Sequence, residues 1–318
     1  MIQELEVILS SCHGSKKMAS SDSSKTVFLA FSVNFFIAGI KTVIAVITSS
    51  SAMFSEAVHS YVDSGNQFIL WFGIKQSKKP NKLLYPLGRG KEEYFWTLVV
   101  AVLIFTIGGL ISLEHGIEAL SHPKELKNLF ISIAVLSVSI VLELYVLYKA
   151  VKELRSKAVN KDLSVFKLLK ESTDGPLIAI VVEDFAATLG LGIALVGTIL
   201  ANITSNPVFD AVSSILIGIL LMVSGVFLGY EMKHLITGES ISVKKQEMIH
   251  DIISGNEKIK EIKSLKIISI GANKYLALCN LDYIDTTMDN EIIEINLELK
   301  SNVCSKFDEI SEIYFNPA

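Results

Sequence analysis

Residues Pro176–Ala201 read PLIAIVVEDFAATLGLGIALVGTILA, a run whose only charged side chains are Glu183 and Asp184. A hydrocarbon core of about 30 Å takes ~20 helical residues to cross, so this run is long enough to span a membrane. A strand is disfavoured because the apolar residues are continuous, and because an open sheet edge cannot satisfy its polar groups in lipid. The stretch therefore predicts a transmembrane helix that carries two acids.

Five other stretches share this apolar character, and the composition of the whole chain reflects it. Of the 318 residues, 50% are hydrophobic and 19% are charged, and the mean hydropathy is +0.48, which argues against an ordinary soluble protein. The chain is expected to form an all-α transmembrane domain of six helices over 26–230, after a cytoplasmic N-terminal segment at 1–25 in which Met18 competes with Met1 as the start. The predicted spans lie near 26–48, 52–74, 95–120, 127–149, 175–201 and 208–230.

The remaining residues, 231–318, have the mixed composition of a soluble domain. Hydrophobic periodicity predicts a helix, two strands, an amphipathic helix and a strand, in that order, at 243–255, 262–271, 275–284, 289–303 and 309–315. The order αββαβ predicts a small ferredoxin-like α+β domain at the C-terminus.

Lysine and arginine are concentrated in two of the connections between the predicted spans. The connections 75–93 and 149–170 carry six and seven of them, whereas 121–128 carries two and 48–51 and 202–207 carry none. Cytoplasmic loops are enriched in these cations, so both termini are expected on the cytoplasmic side. A net charge of -4 without a basic stretch interleaved with aromatics argues against nucleic-acid binding.

The second predicted span, SSAMFSEAVHSYVDSGNQ at 50–67, contains three side chains that can bind metals. Glu56, His59 and Asp63 are spaced i, i+3 and i+7, which places them on one face of a helix. An imidazole and a carboxylate four residues apart can bind one zinc ion from a single helix. The alternative is a structural role, in which the histidine packs between helices and pairs with the aspartate. Ionisable groups at membrane depth cost about 2.5–3.5 kcal/mol each on insertion scales, however, and therefore indicate function.

Other buried charges complement this stripe. Glu183 and Asp184 point about 100° apart on a helix, so both cannot face one ion, and we favour Asp184 as the metal ligand. Glu183 and Glu56 are each interpreted as an additional ligand or a proton relay. Lys41 in the first span is expected to neutralise a carboxylate when metal is absent.

Glu143 and Asp210 lie nearer to the ends of their predicted spans. Snorkelling or a helix N-terminus explains a charge at such a position, so both are interpreted as structural. The glycines of YPLGRGKEE, at 85–93, do not indicate a phosphate loop because the Lys-Ser/Thr ending and the flanking strand are missing. The basic residues of this loop are expected to set the topology or to gate a cytoplasmic mouth.

These motifs resemble the cation diffusion facilitator family, and within it the zinc transporter nine-like branch. The similarity runs from about residue 26 to the C-terminus and is carried by SSSAMFSEAVHSYVDSGNQ, YPLGRGKEEYFW, VVEDFAATLG and the trailing α+β domain. The resemblance implies a homodimeric secondary active transporter rather than an enzyme. Each protomer would bind one divalent cation between its second and fifth helices and exchange it for protons by alternating access.

The resemblance also implies that His59, Asp63 and Asp184 form the metal site, with zinc as the transported ion and no tightly bound cofactor. The family's usual His or Asp four residues before Asp184 is here Ile180. Glu183, Glu56, a water or the backbone must then complete the coordination.

Two other metal sites of the family are expected to be absent or reduced. The histidine of the loop site is replaced by Arg89, and the neighbouring acidic position reads as Asn81 or Lys82. In the C-terminal domain, His250 is the plausible candidate ligand, so a mainly dimerising role is expected there.

Alternatives to zinc export remain open at this level. Manganese or iron(II) would suit the same carboxylates almost as well. An intramembrane metalloenzyme is disfavoured because HExxH is missing, and a non-transporting membrane scaffold would use the buried charges only to hold helices together. The 17 residues before Met18 lack the features of a signal peptide, so a bacterial inner membrane is the expected location.

Overall fold

The computed structural model describes residues 23–79, 83–122, 127–158 and 163–318, without the side chains of 23–34 and 129. The described residues form two compact units. We call 23–77 together with Glu92–Lys233 the helical unit, and Lys78–Lys91 together with His234–Ala318 the sheet unit. The predicted segment 1–25 falls almost entirely outside the described residues, as do Asn81 and Lys82. The predicted domain boundaries stay a prediction.

The described part of the helical unit contains seven helices. They are α1 Ser23–Thr48, α2 Ser51–Ser77, α3 Glu92–Ser121, α4 Leu129–Lys157, α5 Val165–Glu171, α6 Gly175–Thr204 and α7 Val208–Thr237, whose last four residues belong to the sheet unit. Four of these, α3, α4, α6 and α7, are long and apolar enough to cross a membrane. Helix α1 is apolar over Phe35–Thr48, the part whose side chains are described, whereas α2 carries many polar residues. The chain is thus an integral membrane protein, and the number of six spans stays a prediction.

Asp210, near the start of α7, is buried and caps the neighbouring helix α2. Its carboxylate accepts hydrogen bonds from the Ser50 hydroxyl at 2.6 Å and from the N–H groups of Ser51 and Ala52 at 2.5 and 3.2 Å. The first N–H groups of a helix have no intrahelical partner, and at a membrane-embedded end they need one from the protein. The structural interpretation of Asp210 is therefore supported, with α2 rather than its own helix as the partner.

Helices α3 and α7 approach each other through glycines. A Cβ atom at Gly116 of α3 would lie 2.8 Å from the Ile215 nitrogen, and one at Gly218 of α7 would lie 2.6 Å from the Leu113 nitrogen. The segment Ile104–Leu110 of α3 is a π-helix, a wider turn that is often found at functional sites. Lipid provides no hydrophobic force that drives helices together, so their association depends on close packing, which small residues allow.

The sheet unit contains α8 Val243–Ser254, β1 Ile259–Gly271, β2 Lys274–Tyr283, α9 Asp289–Lys306 and β3 Ile310–Pro317. The predicted order αββαβ is confirmed. Strand β2 lies at the centre of the sheet, antiparallel to β1 and parallel to β3. The parallel pair requires a crossover, which α9 supplies.

The core of the sheet unit follows from two sequence periods. Alternate residues of β2 face the helices, and α8 and α9 present apolar residues three or four positions apart. The fully or almost fully buried members include Ala277, Cys279, Leu281, Ile249, Ile253, Leu299 and Val303. At the start of α9, the Met288 N–H donates a hydrogen bond of 3.0 Å to Glu291. This bond and nearby Lys258 hold the pKa of Glu291 below its usual range.

The cation-rich loop 83–91 packs within the sheet unit. A side chain at Gly90 would overlap with the backbone of Ile270 and Gly271 at the end of β1, and Lys91 Nζ donates to the Ile236 carbonyl at 3.1 Å. Glycine is therefore required sterically at position 90 of this loop.

Candidate metal site in the helical unit

Helix α2 places Glu56, His59 and Asp63 on one face, as the spacing predicts. Glu56 and His59 are 0% and 2% exposed. Among the described residues, both carboxylate oxygens of Glu56, both ring nitrogens of His59 and one oxygen of Asp63 are buried without a hydrogen-bond partner. A buried polar atom left unpaired costs about 1–3 kcal/mol, and more if it is charged. The stripe therefore holds several metal-binding atoms in a costly, unsatisfied arrangement.

Across from this stripe, the residue of α6 that contacts α2 most closely is Glu183 rather than Asp184. The Asn66 amide donates a hydrogen bond of 2.7 Å to Glu183 Oε1, and the carboxyl groups of Asp63 and Glu183 are within hydrogen-bonding reach of each other. Asp184 is only partly buried, and its Oδ2 atom is buried without a partner. Asn66 was missed by sequence reasoning, although it lies one helical turn beyond Asp63.

Lys41 of α1 supplies the positive charge of the cluster. Its Nζ atom donates to the Ser60 hydroxyl at 2.8 Å and lies 3.6 Å from Glu56 Oε2. The expectation that Lys41 neutralises a carboxylate when metal is absent stays a prediction, and Glu56 is the carboxylate that lies within ion-pair distance of Lys41. A buried ion pair of this kind offsets part of the desolvation cost of its two charges.

Gly190 of α6 makes room for the Glu56 side chain. A Cβ atom at this position would lie 2.9 Å from Glu56 Oε1, closer than real Cβ contacts. Glycine at position 190 therefore lets the carboxylate reach α6. No sequence signal except the glycine itself marks this role.

Glu143 of α4 also faces the cluster. A cavity of about 210 Å³ between α1, α2 and α4 is lined by Lys41, Ser60, Asp63 and Glu143, and Glu143 interacts electrostatically with Glu56 and Asp63. The interpretation of Glu143 as a purely structural charge near a membrane end is therefore not supported. Glu143 is the middle residue of α4 rather than a residue near its end, and the helices that it faces were not visible in the sequence.

The groups do not form a closed coordination shell. His59 Nδ1 lies 3.4 Å from Asp63 Oδ1, but in the part of the chain that the structure describes no three His, Cys, Asp or Glu side chains converge closely enough to hold a metal ion. If all were ionised, the carboxylates of Glu56, Asp63, Glu183 and Asp184 would outnumber the one ammonium of Lys41. Such a cluster attracts cations or protons.

The other predicted positions show no such convergence. Arg89 stacks on the Tyr85 ring with 4.7 Å between the guanidinium carbon and the ring centroid. His250 lies on the exposed side of α8, with Nδ1 4.0 Å from Asp251 Oδ1.

Comparisons with known proteins agree with this arrangement. A family model described as the cation efflux transmembrane domain matches residues 27–235. Over 91% of its length the chain is 30% identical to the mitochondrial proton-coupled zinc antiporter SLC30A9 of Homo sapiens, of which the match covers 50%. Over 82% of its length it is 25% identical to metal tolerance protein C4 of Arabidopsis thaliana, of which the match covers 57%. The chain thus spans about half the length of these curated relatives.

The fold and the site define an integral membrane protein whose apolar helices enclose a cluster of metal-binding side chains. Because the family model covers well over half of the sequence, this chain belongs to the cation efflux family. The resemblance to the cation diffusion facilitators and their zinc transporter nine-like branch is confirmed.

Proposed function

We propose that this chain is a secondary active transporter, not an enzyme, that exports a divalent metal cation, zinc first, in exchange for protons. The observation that carries the proposal is the set of buried ligand atoms without hydrogen-bond partners on Glu56, His59 and Asp63 within a bundle of apolar helices. The names of the relatives point the same way, since one is a proton-coupled zinc antiporter and another a metal tolerance protein. No tightly bound cofactor is required, because the metal is the cargo.

His59, Asp63 and Asp184 are the proposed metal ligands. Imidazole nitrogen and carboxylate oxygen suit zinc, which prefers four ligands. Glu183 and Glu56 complete the site or relay protons, and the contact between Glu183 and Asp63 supports a direct part for Glu183. Lys41 holds Glu56 when no cation is bound.

Proton exchange follows from competition for the same atoms. Metal binding requires a neutral imidazole and ionised carboxylates, so the ion and the protons exclude each other. In the proposed cycle the ion enters from the cytoplasm, the helices move to open the site to the other side, and protons displace the ion there.

The proposed architecture has six transmembrane helices at 26–230, with both termini in the cytoplasm, after the N-terminal segment at 1–25. The soluble domain at 231–318 is proposed to be ferredoxin-like and to support a homodimer, with the αββαβ order of the sheet unit in support. The bacterial inner membrane is the proposed location. The human relative is named as mitochondrial. Membrane fractionation, which shows in which membrane the protein resides, is therefore the direct test of the proposed location.

The test is metal uptake into proteoliposomes that carry a pH gradient, with zinc, manganese, iron(II) and cobalt offered in turn. Wild type is compared with Asp184→Asn, Glu183→Gln and the control Glu114→Gln, which removes an exposed carboxylate of α3. Proton-driven zinc uptake that survives only in wild type and the control supports the proposal. Loss in only one of the two α6 variants identifies the ligand that α6 supplies.

The same experiment decides between the alternatives. Carboxylates outnumber the imidazole in the cluster, which favours manganese or iron(II) as the second candidate cargo. Preferential uptake of either metal would replace zinc within the same mechanism. Folded protein that moves no metal would sink the transporter proposal and leave the membrane scaffold.

A further inference from the structure

A second cavity lies at the N-terminal end of α2, where the α1–α2 and α6–α7 connections meet the end of α3. It has a volume of about 330 Å³. Ser49 and Ser50 line it from the α1–α2 connection, His122 from the connection after α3, and Pro207 from the α6–α7 connection. We call it the outer cavity, because the cation-rich connections leave the opposite ends of these helices.

The last two turns of α3 present His115 and Glu118 to the outer cavity, and His122, the first residue after the helix, also lines it. His115 and Glu118 are spaced i and i+3, which places them on one helical face. The His122 N–H donates to the Glu118 carbonyl at 2.9 Å, which holds the backbone of His122 one turn beyond Glu118, although the dihedral angles of His122 itself are not helical. Glu118 and His122 are exposed and repeat, in reverse order, the carboxylate–imidazole pair at i and i+4 that α2 carries as His59 and Asp63.

The surroundings favour a cation. Asp210 contributes a carboxylate to the lining, but its oxygens accept hydrogen bonds from the start of α2, so it adds negative charge rather than a free ligand. The His115 ring stacks on Phe54 with 4.1 Å between the centroids. Phe54 lies two residues from Glu56, so the outer cavity and the buried cluster adjoin the same segment of α2.

We propose that Glu118 and His122 form a second divalent-cation site at the non-cytoplasmic mouth of the helical unit, with His115 as the next donor toward the buried cluster. The site rests on the proposed function in that an exported ion would leave through it. Two protein ligands with water in the other positions bind more weakly than the four ligands of a closed zinc site. Weak binding suits an ion that must depart.

Cobalt(II) alone is a suitable probe, because binding can be counted by equilibrium dialysis of the purified full chain. We expect wild type to bind a tight and a weaker equivalent per chain. His122→Ala and Glu118→Gln should each weaken the second equivalent by at least about tenfold, since even outer-shell substitutions cost 10- to 100-fold in metal affinity. Glu114→Gln, a carboxylate of the same helix outside the cavity lining, should leave both equivalents unchanged.

The Asp63→Asn variant separates this site from the buried one. It should lose the tight equivalent and retain the weaker one. Three results would overturn the proposal. Wild type would lack the weaker equivalent, both His122→Ala and Glu118→Gln would leave it unchanged, or Glu114→Gln would reduce it equally. The count does not depend on transport, so wild-type vesicles without flux would sink the proposed function and leave this test standing.

Discussion

The helical unit and the sheet unit treat buried polar atoms in opposite ways. In the described residues of the sheet unit, the unpartnered buried side-chain atoms are the hydroxyl oxygens of Ser240 and Thr287. In the helical unit they include both oxygens of Glu56 and both nitrogens of His59. The buried side chains of the sheet unit are almost all apolar or hydrogen-bonded, whereas the helical unit retains buried groups without hydrogen bonds, and the ion pair with Lys41 offsets only part of the cost of Glu56.

This difference is informative because the membrane excludes the water that would otherwise hydrate polar groups. A polar group near the surface of a soluble domain is satisfied by water, but water is scarce among apolar helices. Buried carboxylates and an imidazole that persist there without hydrogen-bond partners are better explained by ion binding than by packing. The following changes would break or sharpen the contrast, from the largest expected effect to the smallest.

Leu299→Ala tests the sheet unit as a stability element. Leu299 is 1% exposed within the apolar core, so the truncation should lower the free energy of unfolding of this unit by about 2–5 kcal/mol. Denaturant titration of the full chain, with reactivity of Cys279 as the probe, measures it. Ile293→Ala, on the exposed side of the same helix, should change stability by less than about 0.5 kcal/mol. Equal effects would contradict the assigned core.

Asp63→Asn tests the helical unit as a functional element. Proton-driven zinc uptake should fall by at least about 100-fold, because a proposed ligand loses its charge. Thermal unfolding should stay unchanged or shift upward, since the amide can donate to Glu183 where two carboxyl groups now meet. Asp251→Asn, on the exposed side of α8, is the control for both measurements. A strongly destabilised variant would mean that Asp63 holds the helices together instead.

Gly190→Ala tests whether space for Glu56 matters. The added methyl group would lie 2.9 Å from Glu56 Oε1, so the carboxylate must move, and we expect transport to fall by about tenfold, less than the 10²-fold that a 1 Å misplacement can cost. Gly192→Ala is a matched control on the same helix, because a Cβ atom there has nothing within 4 Å. Similar uptake rates for the two variants would remove Gly190 from the site.

The smallest expected effect concerns the thiol of Cys279 in the sheet unit, through its reactivity and the pH dependence of stability. Burial raises the pKa of this thiol from 9.0 to about 11, so at pH 8 it should resist maleimide in the folded chain. The unfolded thiol ionises first as the pH rises, so the sheet unit should lose stability between pH 9 and 11. In the folded state, wild type and Cys279→Ser should take up the same amount of maleimide. After denaturation, wild type should take up one equivalent more than Cys279→Ser. Rapid native labelling of Cys279 would argue against its burial.

Sequence reasoning succeeded where the determinant was local. The αββαβ order of the sheet unit and the common face of Glu56, His59 and Asp63 both follow from periods of two or 3.6 residues. It was incomplete where a contact joins two helices. Asn66, Gly190 and Ser60 were not anticipated, and Glu143 was assigned to the membrane edge although it faces Asp63 across a cavity.

By itself, the sequence determined that long apolar helices carry an unusual stripe of metal-binding groups, because hydrocarbon thickness and helical pitch act on consecutive residues. Only the tertiary structure decided that Glu183 rather than Asp184 reaches Asp63, that Lys41 pairs with Glu56, and that Asp210 caps α2. The rotation of each helix about its axis selects these partners. That rotation depends on close contacts between helices, such as those at Gly116 and Gly218, which no single segment encodes.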